Sequence, residues 1–297
     1  MFDLKSYLEE KKKEINKTLY EILHKSYVKT PLVKAMDYSL MAGGKRIRPI
    51  LCIAAAEAVG HNRGKDILTA GCAIEMIHTY SLIHDDLPAM DDDALRRGRE
   101  TCHVAFGEAT AILAGDALLT LAFEVISCEG QKHGNDALKW LKVMHIISAA
   151  CGYKGMIRGQ MQDIKAEPGE SGLVELEKMH GLKTGAIIEA CLRTGAVLGN
   201  ASCSEIEELG TYAKYIGLAF QVADDILNVE GDPVLMGKAV GTDENLNKST
   251  YPGLIGLRRS KAFAKELVIK GLQSLNNFDK RAEPLRTIAN YIIERKK

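Results

Sequence analysis

The segment of the chain with the clearest chemical signal is an acidic run within residues 74–98, IEMIHTYSLIHDDLPAMDDDALRRG. Asp85 and Asp86 end an apolar helical repeat that Pro88 must stop, and Asp91 follows in the next turn. A helix C-terminus already carries partial negative charge, so these carboxylates repel one another unless a cation binds among them. Oxygen donors without histidine or cysteine partners favour Mg²⁺ over zinc. A solvated acidic loop is the alternative for this segment taken alone.

A second acidic group lies within residues 217–229, GLAFQVADDILNV. Gln221, Asp224, Asp225 and Asn228 occupy positions i, i+3, i+4 and i+7, which form a narrow polar stripe on a helix that is otherwise apolar. Carboxylates in such a place are costly without a metal ion or a partner. The two stripes therefore predict two helices that face each other across an internal cavity.

Cationic residues gather at other points of the chain, and they predict the kind of ligand. Residues 43–49, GGKRIRP, combine two glycines with three cations, Lys45, Arg46 and Arg48, in a pattern suited to wrapping an anion. Carboxylates cannot bind a phosphate directly, so Mg²⁺ must bridge the two while arginine and lysine hold the outer oxygens. The implied ligand carries a diphosphate, whose metal-assisted departure would leave a carbocation in an apolar cavity. Further donors stand near a glycine or a predicted helix end: Arg96, Arg97, Arg99, Lys183, Thr184, Lys238 and Lys248.

The elements that must position these residues are predicted to be helices. Thr30 and Pro31 have the form of an N-cap with proline in the first turn, and Ser204 with Glu207 has the form of a capping box. No β-hairpin is expected, because Asn-Gly and Asp-Gly turns between alternating runs are absent. We expect one all-α domain over residues 1–297, a single bundle of about ten helices around a deep central cavity. Apolar periodicity marks the helices, beginning with Leu4 to Ile22 and continuing over residues 47–60, 66–86, 107–129, 136–160, 173–199, 204–229, 252–275 and 281–295.

Composition excludes several classes of protein. The 297 residues include 39 Lys plus Arg and 39 Asp plus Glu, and this balance argues against a nucleic-acid binder. No membrane span is expected, since even the apolar region 111–123 contains Asp116. The N-terminus lacks an apolar export signal, and the seven cysteines form no CxxC pair. We therefore expect a cytoplasmic protein with reduced, mostly buried cysteines.

Taken in order, GGKRIRP, DDLPAMDDDALRRG, GLKTGA, FQVADDIL, the Gly237-Lys238 pair and KSTYP resemble the motifs of trans-polyprenyl diphosphate synthases. The bacterial short-chain farnesyl diphosphate synthases are the most similar branch. The resemblance covers the chain from about residue 30 to its C-terminus. It implies an isoprenoid synthase-like helical bundle, a homodimer, and a condensation in which an allylic diphosphate ionises and the double bond of isopentenyl diphosphate attacks the cation.

The resemblance also implies roles for individual residues. Arg96 would contact the allylic diphosphate, and the catalytic positions would be Lys183, Thr184 and Gln221, with Lys238 and Lys248 beside them in the allylic site. Several Mg²⁺ ions would be held by the carboxylates Asp85, Asp86, Asp91, Asp224 and Asp225. Isopentenyl diphosphate would be bound by the residues Gly44, Lys45, Arg48, His78 and Arg97.

Two positions bear on the product and on the metal site. Tyr80 and Ser81 stand five and four residues before Asp85, where bulk sets product length in the family, and Tyr80 is expected to form a floor beneath the growing chain. We expect farnesyl diphosphate, with geranylgeranyl diphosphate as the alternative. The second motif departs from the usual DDxxD pattern because Asn228 replaces its last aspartate, which weakens any ligand role there.

Other classes of function remain open at this point. A non-catalytic subunit of a hetero-oligomeric prenyl synthase would share the fold, but would be expected to lose acidic or arginine motif residues that this chain keeps. The His84-Asp85 pair suggests a metal phosphohydrolase, which would need several more histidine ligands. A terpene cyclase shares an aspartate motif, but it would not need GGKRIRP or Arg97.

Overall fold

Apolar residues spaced three and four positions apart fold the chain into an all-α bundle, as the sequence predicts. The computed structural model describes residues 2–25, 30–61, 64–132, 134–165, 172–230 and 249–294. In chain order its helices are α1 (Leu4–Leu23), α2 (Pro31–Leu40), α3 (Ile47–Ala58), α4 (Lys65–Asp85), α5 (Cys102–Phe106), α6 (Glu108–Lys132), α7 (Ala137–Cys151), α8 (Met156–Lys165), α9 (Leu173–His180), α10 (Ala186–Leu198), α11 (Cys203–Glu230), α12 (Tyr251–Ile255), α13 (Leu257–Gln273) and α14 (Glu283–Glu294).

Most predicted helices agree with the structure to within a few residues. The predicted start at Thr30 and Pro31 is confirmed, since the Thr30 hydroxyl accepts a hydrogen bond from the Val33 amide at 3.2 Å. The helix predicted over residues 173–199 is also confirmed, running from α9 into α10. Between these two helices, Gly181–Gly185 winds as a π-helical turn.

Other predicted bounds are wrong in detail. The helix expected over residues 136–160 is divided into α7 and α8 by a glycine-containing turn, and the one over 252–275 is divided at Gly256, whose φ is +80°. The capping box expected at residues 204–207 lies two residues earlier. There the side chains of Ser202 and Glu205 each accept a hydrogen bond from the other's backbone amide, so α11 begins at Cys203.

A short hairpin corrects the expectation that none would form. Strands β1 (Leu95–Arg96) and β2 (Arg99–Glu100) pair antiparallel, and the turn between them is Arg97-Gly98. Both turn residues are left-handed, with φ of 55° and 74°, which is the geometry that fits a two-residue hairpin. Our expectation considered only Asn-Gly and Asp-Gly turns, whereas Arg97 occupies the same conformation here.

The core is one contiguous apolar cluster among the described residues. Helix α10 lies within it and contacts α3, α4, α7 and α11, while α4 packs along α6 and α11 packs along α13. All seven cysteines are free, and five of them are buried, in agreement with the sequence: Cys52, Cys72, Cys102, Cys151 and Cys191.

One helix among the described residues, α6, is long and apolar enough to cross a membrane by length and composition alone. Asp116 does not prevent this, because a segment of this length can carry a few charges and still be apolar enough to cross a membrane. A third of its most apolar part is buried (33%), and Ala111, Ala114 and Leu118 of α6 are fully buried. A core helix passes the same test, so the absence of a membrane span stays a prediction.

Candidate active site

The C-terminal end of α4 gathers the first group of carboxylates. After Asp86 the chain turns back over the helix end, and the Asp91 amide donates to the Asp85 carbonyl at 2.9 Å. The pKa of Asp85 is raised to about 6, mainly by burial; the neighbouring Asp91 and Asp86 add to the shift, while Lys183 and Arg96 oppose it. The Asp85 carboxylate is thus held largely out of water, where its charged form needs a nearby cation.

Asp86 is engaged by an arginine of the hairpin. Arg96 donates from Nε to both Asp86 oxygens at 2.8 Å and from an Nη to Oδ1 at 2.5 Å. Burial raises the pKa of Asp86, while the Arg96 guanidinium opposes that change. This bidentate pair ties the hairpin to the end of α4. The structure thus pairs Asp86, a predicted metal ligand, with Arg96, a predicted diphosphate contact, and each side chain orients the other.

A group of cations faces the same region from the α3 side. Arg97 donates to the carbonyl of Gly43, and a Cβ at Gly44 would lie 2.8 Å from the Arg97 guanidinium. Burial lowers the pKa of Arg48, whose Nε is buried without a hydrogen-bond partner. Burial and the neighbouring arginines also hold the pKa of His78 well below its usual range. Arg48, Arg97 and the neutral His78 together offer hydrogen-bond donors suited to an anion.

Arg46 does not belong to this anion-binding group, which corrects the reading of GGKRIRP as three free cations. Its side chain is buried and donates to Glu75 at 2.7 Å, to Asn16 at 2.9 Å and to the Leu40 carbonyl at 2.6 Å. The pair with Glu75 lies almost wholly out of solvent, with side-chain exposures of 1% and 3%. Arg46 therefore ties the start of α3 to α4, whereas the Nε of Arg48 has no hydrogen-bond partner within the protein.

The π-helical turn presents Lys183 and Thr184 to the acidic end of α4. The Lys183 ammonium donates to Asp163 on α8 at 2.6 Å and lies near enough to Asp85 to lower its pKa. A Cβ at Gly159 would lie 2.3 Å from the Lys183 amide nitrogen, so a glycine in α8 allows this close contact. Thr184 is buried. π-Helical turns occur often at functional sites, where they redirect a few side chains.

The second carboxylate group lies on α11, as predicted. The charge of Asp224 raises the pKa of Arg48, which places this part of α11 near the cation group. Asp225 is buried and accepts a hydrogen bond from the Tyr251 amide at 2.9 Å, at the start of α12.

His180 lies between the π-helical turn and Tyr251, and its ring stacks on the Tyr251 ring with the centroids 5.8 Å apart. Burial lowers the pKa of His180 to about 4. Gln221 is beside His180.

The remaining predicted positions are placed as follows. Tyr80 is buried, and its hydroxyl has no hydrogen-bond partner, whereas the Ser81 hydroxyl donates to the His78 carbonyl at 2.9 Å. Lys238 and Lys248 lie outside the described residues, so their predicted contacts with substrate stay predictions.

Sequence reasoning missed two polar residues of α8. Asp163 holds Lys183, and both polar atoms of the Gln160 amide are buried without a hydrogen-bond partner. Gln160 and Asp163 are three residues apart, which places both on one face of α8. This spacing could have identified them from the sequence.

The chemistry of these donor atoms bears on whether a metal ion could bind here. Within the described ranges, no three acidic, histidine or cysteine side chains stand close enough to form a metal site by themselves. Asp85, Asp86 and Asp91 lie near one another at the end of α4, and burial, the main cause of the raised pKa of Asp85, disfavours its charged form in the absence of a bound cation. These residues fit a hard divalent cation that completes its coordination with oxygens of a ligand.

Comparisons with known proteins agree with this arrangement. The family model described as polyprenyl synthetase matches residues 29–288. The chain is 46% identical over 261 residues to the farnesyl diphosphate synthase of Bacillus subtilis, covering 87% of this chain and 86% of that protein. It is 45% identical over 298 residues to the chloroplastic geranylgeranyl pyrophosphate synthase of Capsicum annuum, covering 99% and 79%.

A solved structure has the same fold along its length. The apo crystal structure of an FPP/GFPP synthase from Zymomonas mobilis superposes with a TM-score of 0.86 at 37% identity, covering 98% of both chains. With the family model matching most of the sequence and the aspartate and arginine residues gathered at one site, the chain is a prenyltransferase that belongs to the polyprenyl synthetase family.

Proposed function

We propose that the protein condenses isopentenyl diphosphate with the allylic diphosphates dimethylallyl and geranyl diphosphate, forming farnesyl diphosphate. The observation that carries this proposal is the opposition of two charge groups at one site. The Asp85 carboxylate at the end of α4 is held largely out of water near Arg96 of the hairpin, and the Arg48 guanidinium at the entry to α3 is held out of water near Asp224. Two diphosphates, one bound by cations and one through a metal ion, would neutralise both groups.

The cations divide between the two substrates in this proposal. Lys45, Arg48 and Arg97 hold the diphosphate of isopentenyl diphosphate, and His78, whose pKa is lowered by burial and by the arginines around it, donates a single hydrogen bond as a neutral imidazole. Arg96, already oriented by Asp86, contacts the allylic diphosphate. This assignment keeps the double bond of one substrate close to the reacting carbon of the other.

The π-helical turn acts on the allylic side. The allylic carbon–oxygen bond breaks with its electron pair leaving on the diphosphate, and Lys183 bonds the outer oxygens. Thr184 and Gln221 orient their dipoles toward the developing cation. The double bond of isopentenyl diphosphate then forms the new carbon–carbon bond, and loss of a proton restores a double bond. Asp163 holds the Lys183 ammonium in place throughout.

Magnesium is part of the proposal. Several Mg²⁺ ions held by Asp85, Asp91 and Asp224, with Asp86 and Asp225 nearby, would neutralise the departing diphosphate. Asp86 accepts hydrogen bonds from Nε and an Nη of Arg96, and Asp225 accepts one from the Tyr251 amide. These two residues therefore orient the site as well as adding charge to it.

Farnesyl diphosphate is the proposed product, and geranylgeranyl diphosphate is the second candidate. The relatives named above include makers of each, with 46% and 45% identity to this chain. Support for the shorter product comes from Tyr80, a buried aromatic residue about one and a half turns before Asp85 on α4. Its ring is large enough to close the hydrocarbon site beneath a farnesyl chain.

We also propose that the protein is a homodimer. Exposed apolar side chains concentrate on three consecutive helices, α6, α7 and α8, and patches of this kind mark interaction surfaces. The side chains are Ile112, Leu113, Leu138, Leu141, Ile157, Met161 and Ile164. Sedimentation of Leu113→Lys and Leu141→Lys variants tests this surface: both are expected to sediment as monomers, and unchanged dimers would refute the assignment.

The product assay decides between the candidate functions. Purified protein is incubated with Mg²⁺, labelled isopentenyl diphosphate and either dimethylallyl or geranyl diphosphate, and the products are sized. A farnesyl product from both starters is expected, with longer products from Tyr80→Ala. A geranylgeranyl product from the wild type would favour the second candidate, and unchanged length in Tyr80→Ala would refute the floor assignment.

A further inference from the structure

His84 has no role in the chemistry proposed above, yet the structure holds it firmly. It stands next to Asp85 at the end of α4 and points toward α6 rather than toward the carboxylates. Its Nε2 lies 3.0 Å from the carbonyl oxygen of Ile112 and 3.9 Å from a carboxylate oxygen of Asp116. Because a carbonyl oxygen can only accept, Nε2 carries the proton and donates it. The imidazole is therefore fixed to the backbone of α6.

A glycine in α6 makes the space for this ring. A Cβ added at Gly115 would lie 2.2 Å from Nε2 and 2.5 Å from Cδ2 of His84. Such contacts are far inside van der Waals distance, so no residue with a side chain could occupy position 115 while the His84 ring stays in place. Gly115 and His84 thus fit together as one packing unit between α4 and α6.

On its other side, the His84 ring contacts Tyr80, the residue expected to form the floor of the hydrocarbon site. The rings of Tyr80 and His84 meet edge to face, with centroids 5.7 Å apart and planes at 81°. The Tyr80 hydroxyl is buried without a hydrogen-bond partner, so no polar bond fixes the direction of this ring. Its orientation depends on packing, and the His84 ring is the aromatic surface against which it packs.

We propose that His84, seated against Gly115, is a positioning residue that holds the Tyr80 ring across the hydrocarbon site and thereby limits product length. The inference rests on the proposed function, since it concerns the floor of that same site. Without the imidazole, the Tyr80 side chain is free to turn toward the vacated volume, and the site becomes deep enough for one further isoprene unit.

Two substitutions at position 84 distinguish the contribution of the aromatic ring from that of the hydrogen bond to Ile112. His84→Phe keeps an aromatic edge for Tyr80 but loses the donor to Ile112, whereas His84→Gln keeps a donor but loses the ring. We expect His84→Phe to retain the wild-type product. His84→Gln should raise the share of product that is one isoprene unit longer by about tenfold, the discrimination expected for small changes in an apolar pocket.

A matched pair of glycine substitutions on α6 tests whether the contact between His84 and Gly115 affects product length. Gly115→Ala displaces the imidazole and should lengthen the product as His84→Gln does. Gly130→Ala is the control, because a Cβ there would also crowd a neighbour, at 2.9 Å from Trp140 Cβ, but far along the helix from His84. It should lower the unfolding midpoint and leave product length unchanged.

Sizing the labelled products of all variants beside Tyr80→Ala distinguishes the outcomes. Longer products from Tyr80→Ala, His84→Gln and Gly115→Ala support the inference. Longer products from Tyr80→Ala alone overturn the inferred role of His84, but they still support Tyr80 as the floor of the site. Unchanged products from Tyr80→Ala refute both the role of Tyr80 as the floor and the inferred role of His84. A wild-type protein that condenses no substrate overturns the proposed function itself.

Discussion

The contact between Gly44 and Arg97 yields a prediction whose size follows from the geometry. In Gly44→Ala the new Cβ would lie 2.8 Å from the guanidinium, which must retreat by about 0.7 Å to reach an ordinary contact distance. A guanidinium displaced this far loses a charge-assisted hydrogen bond to a diphosphate, worth about 1.5 to 3 kcal/mol. The KM for isopentenyl diphosphate should therefore rise by about ten- to a hundredfold, while the KM for the allylic substrate stays the same.

Gly43→Ala is the matched control for this substitution. Gly43 also has a positive φ, +91° against +119° for Gly44, so an alanine at either position strains the backbone by about 1 to 3 kcal/mol. No atom lies within 4 Å of a Cβ at Gly43. Steady-state kinetics with each substrate varied in turn should show the rise in KM for Gly44→Ala only. Equal KM values in the two variants would show that Arg97 does not hold isopentenyl diphosphate.

Three other predictions follow from buried groups. Glu75→Ala leaves the Arg46 guanidinium buried without its counter-charge, and should lower the free energy of unfolding in urea by about 3 to 5 kcal/mol. The raised pKa of Asp85 makes its charged form unfavourable in the folded protein, so Asp85→Asn should stabilise metal-free protein at pH 7, but not below about pH 4. Gly159→Ala should push the π-helical turn away from α8 and lower kcat about tenfold or more, through displacement of Lys183.

Each of these three has an outcome that would contradict it. A urea midpoint unchanged in Glu75→Ala would mean that the Arg46 pair contributes little to folding. An Asp85→Asn variant less stable than the wild type at pH 7 would show that the carboxylate is stabilised rather than desolvated. Gly181→Ala controls for the turn, because a Cβ there meets nothing within 4 Å, and an equal loss of kcat in both variants would refute the displacement.

The sequence predicted those parts of the fold and site that depend on local pattern. Helical periodicity placed α4 and α11, and the spacing of Asp224 and Asp225 placed a polar stripe on the second of them. Pattern also located the hairpin arginines near the carboxylates of α4, although the hairpin itself was not expected.

What the sequence did not predict depends on contacts between distant segments. Arg46 and Lys45 are adjacent cations, and only the fold shows that the first is buried against Glu75, 29 residues away. The hydrogen bond of Asp163 to Lys183 likewise joins helices whose approach requires Gly159. Periodicity describes one helix at a time, so it cannot identify which cation forms a buried ion pair with a distant helix.

The central claim is that the carboxylates of α4 and α11 act together in a metal-dependent condensation. The most direct test measures incorporation of labelled isopentenyl diphosphate into geranyl diphosphate by wild type, Asp85→Ala and Asp224→Ala, each with Mg²⁺ and with a chelator. We predict incorporation by the wild type with Mg²⁺ and its loss in both variants and in chelator, with folding unchanged by circular dichroism. Wild-type incorporation that survives either substitution or the chelator would contradict the claim, as would a wild type that elongates nothing.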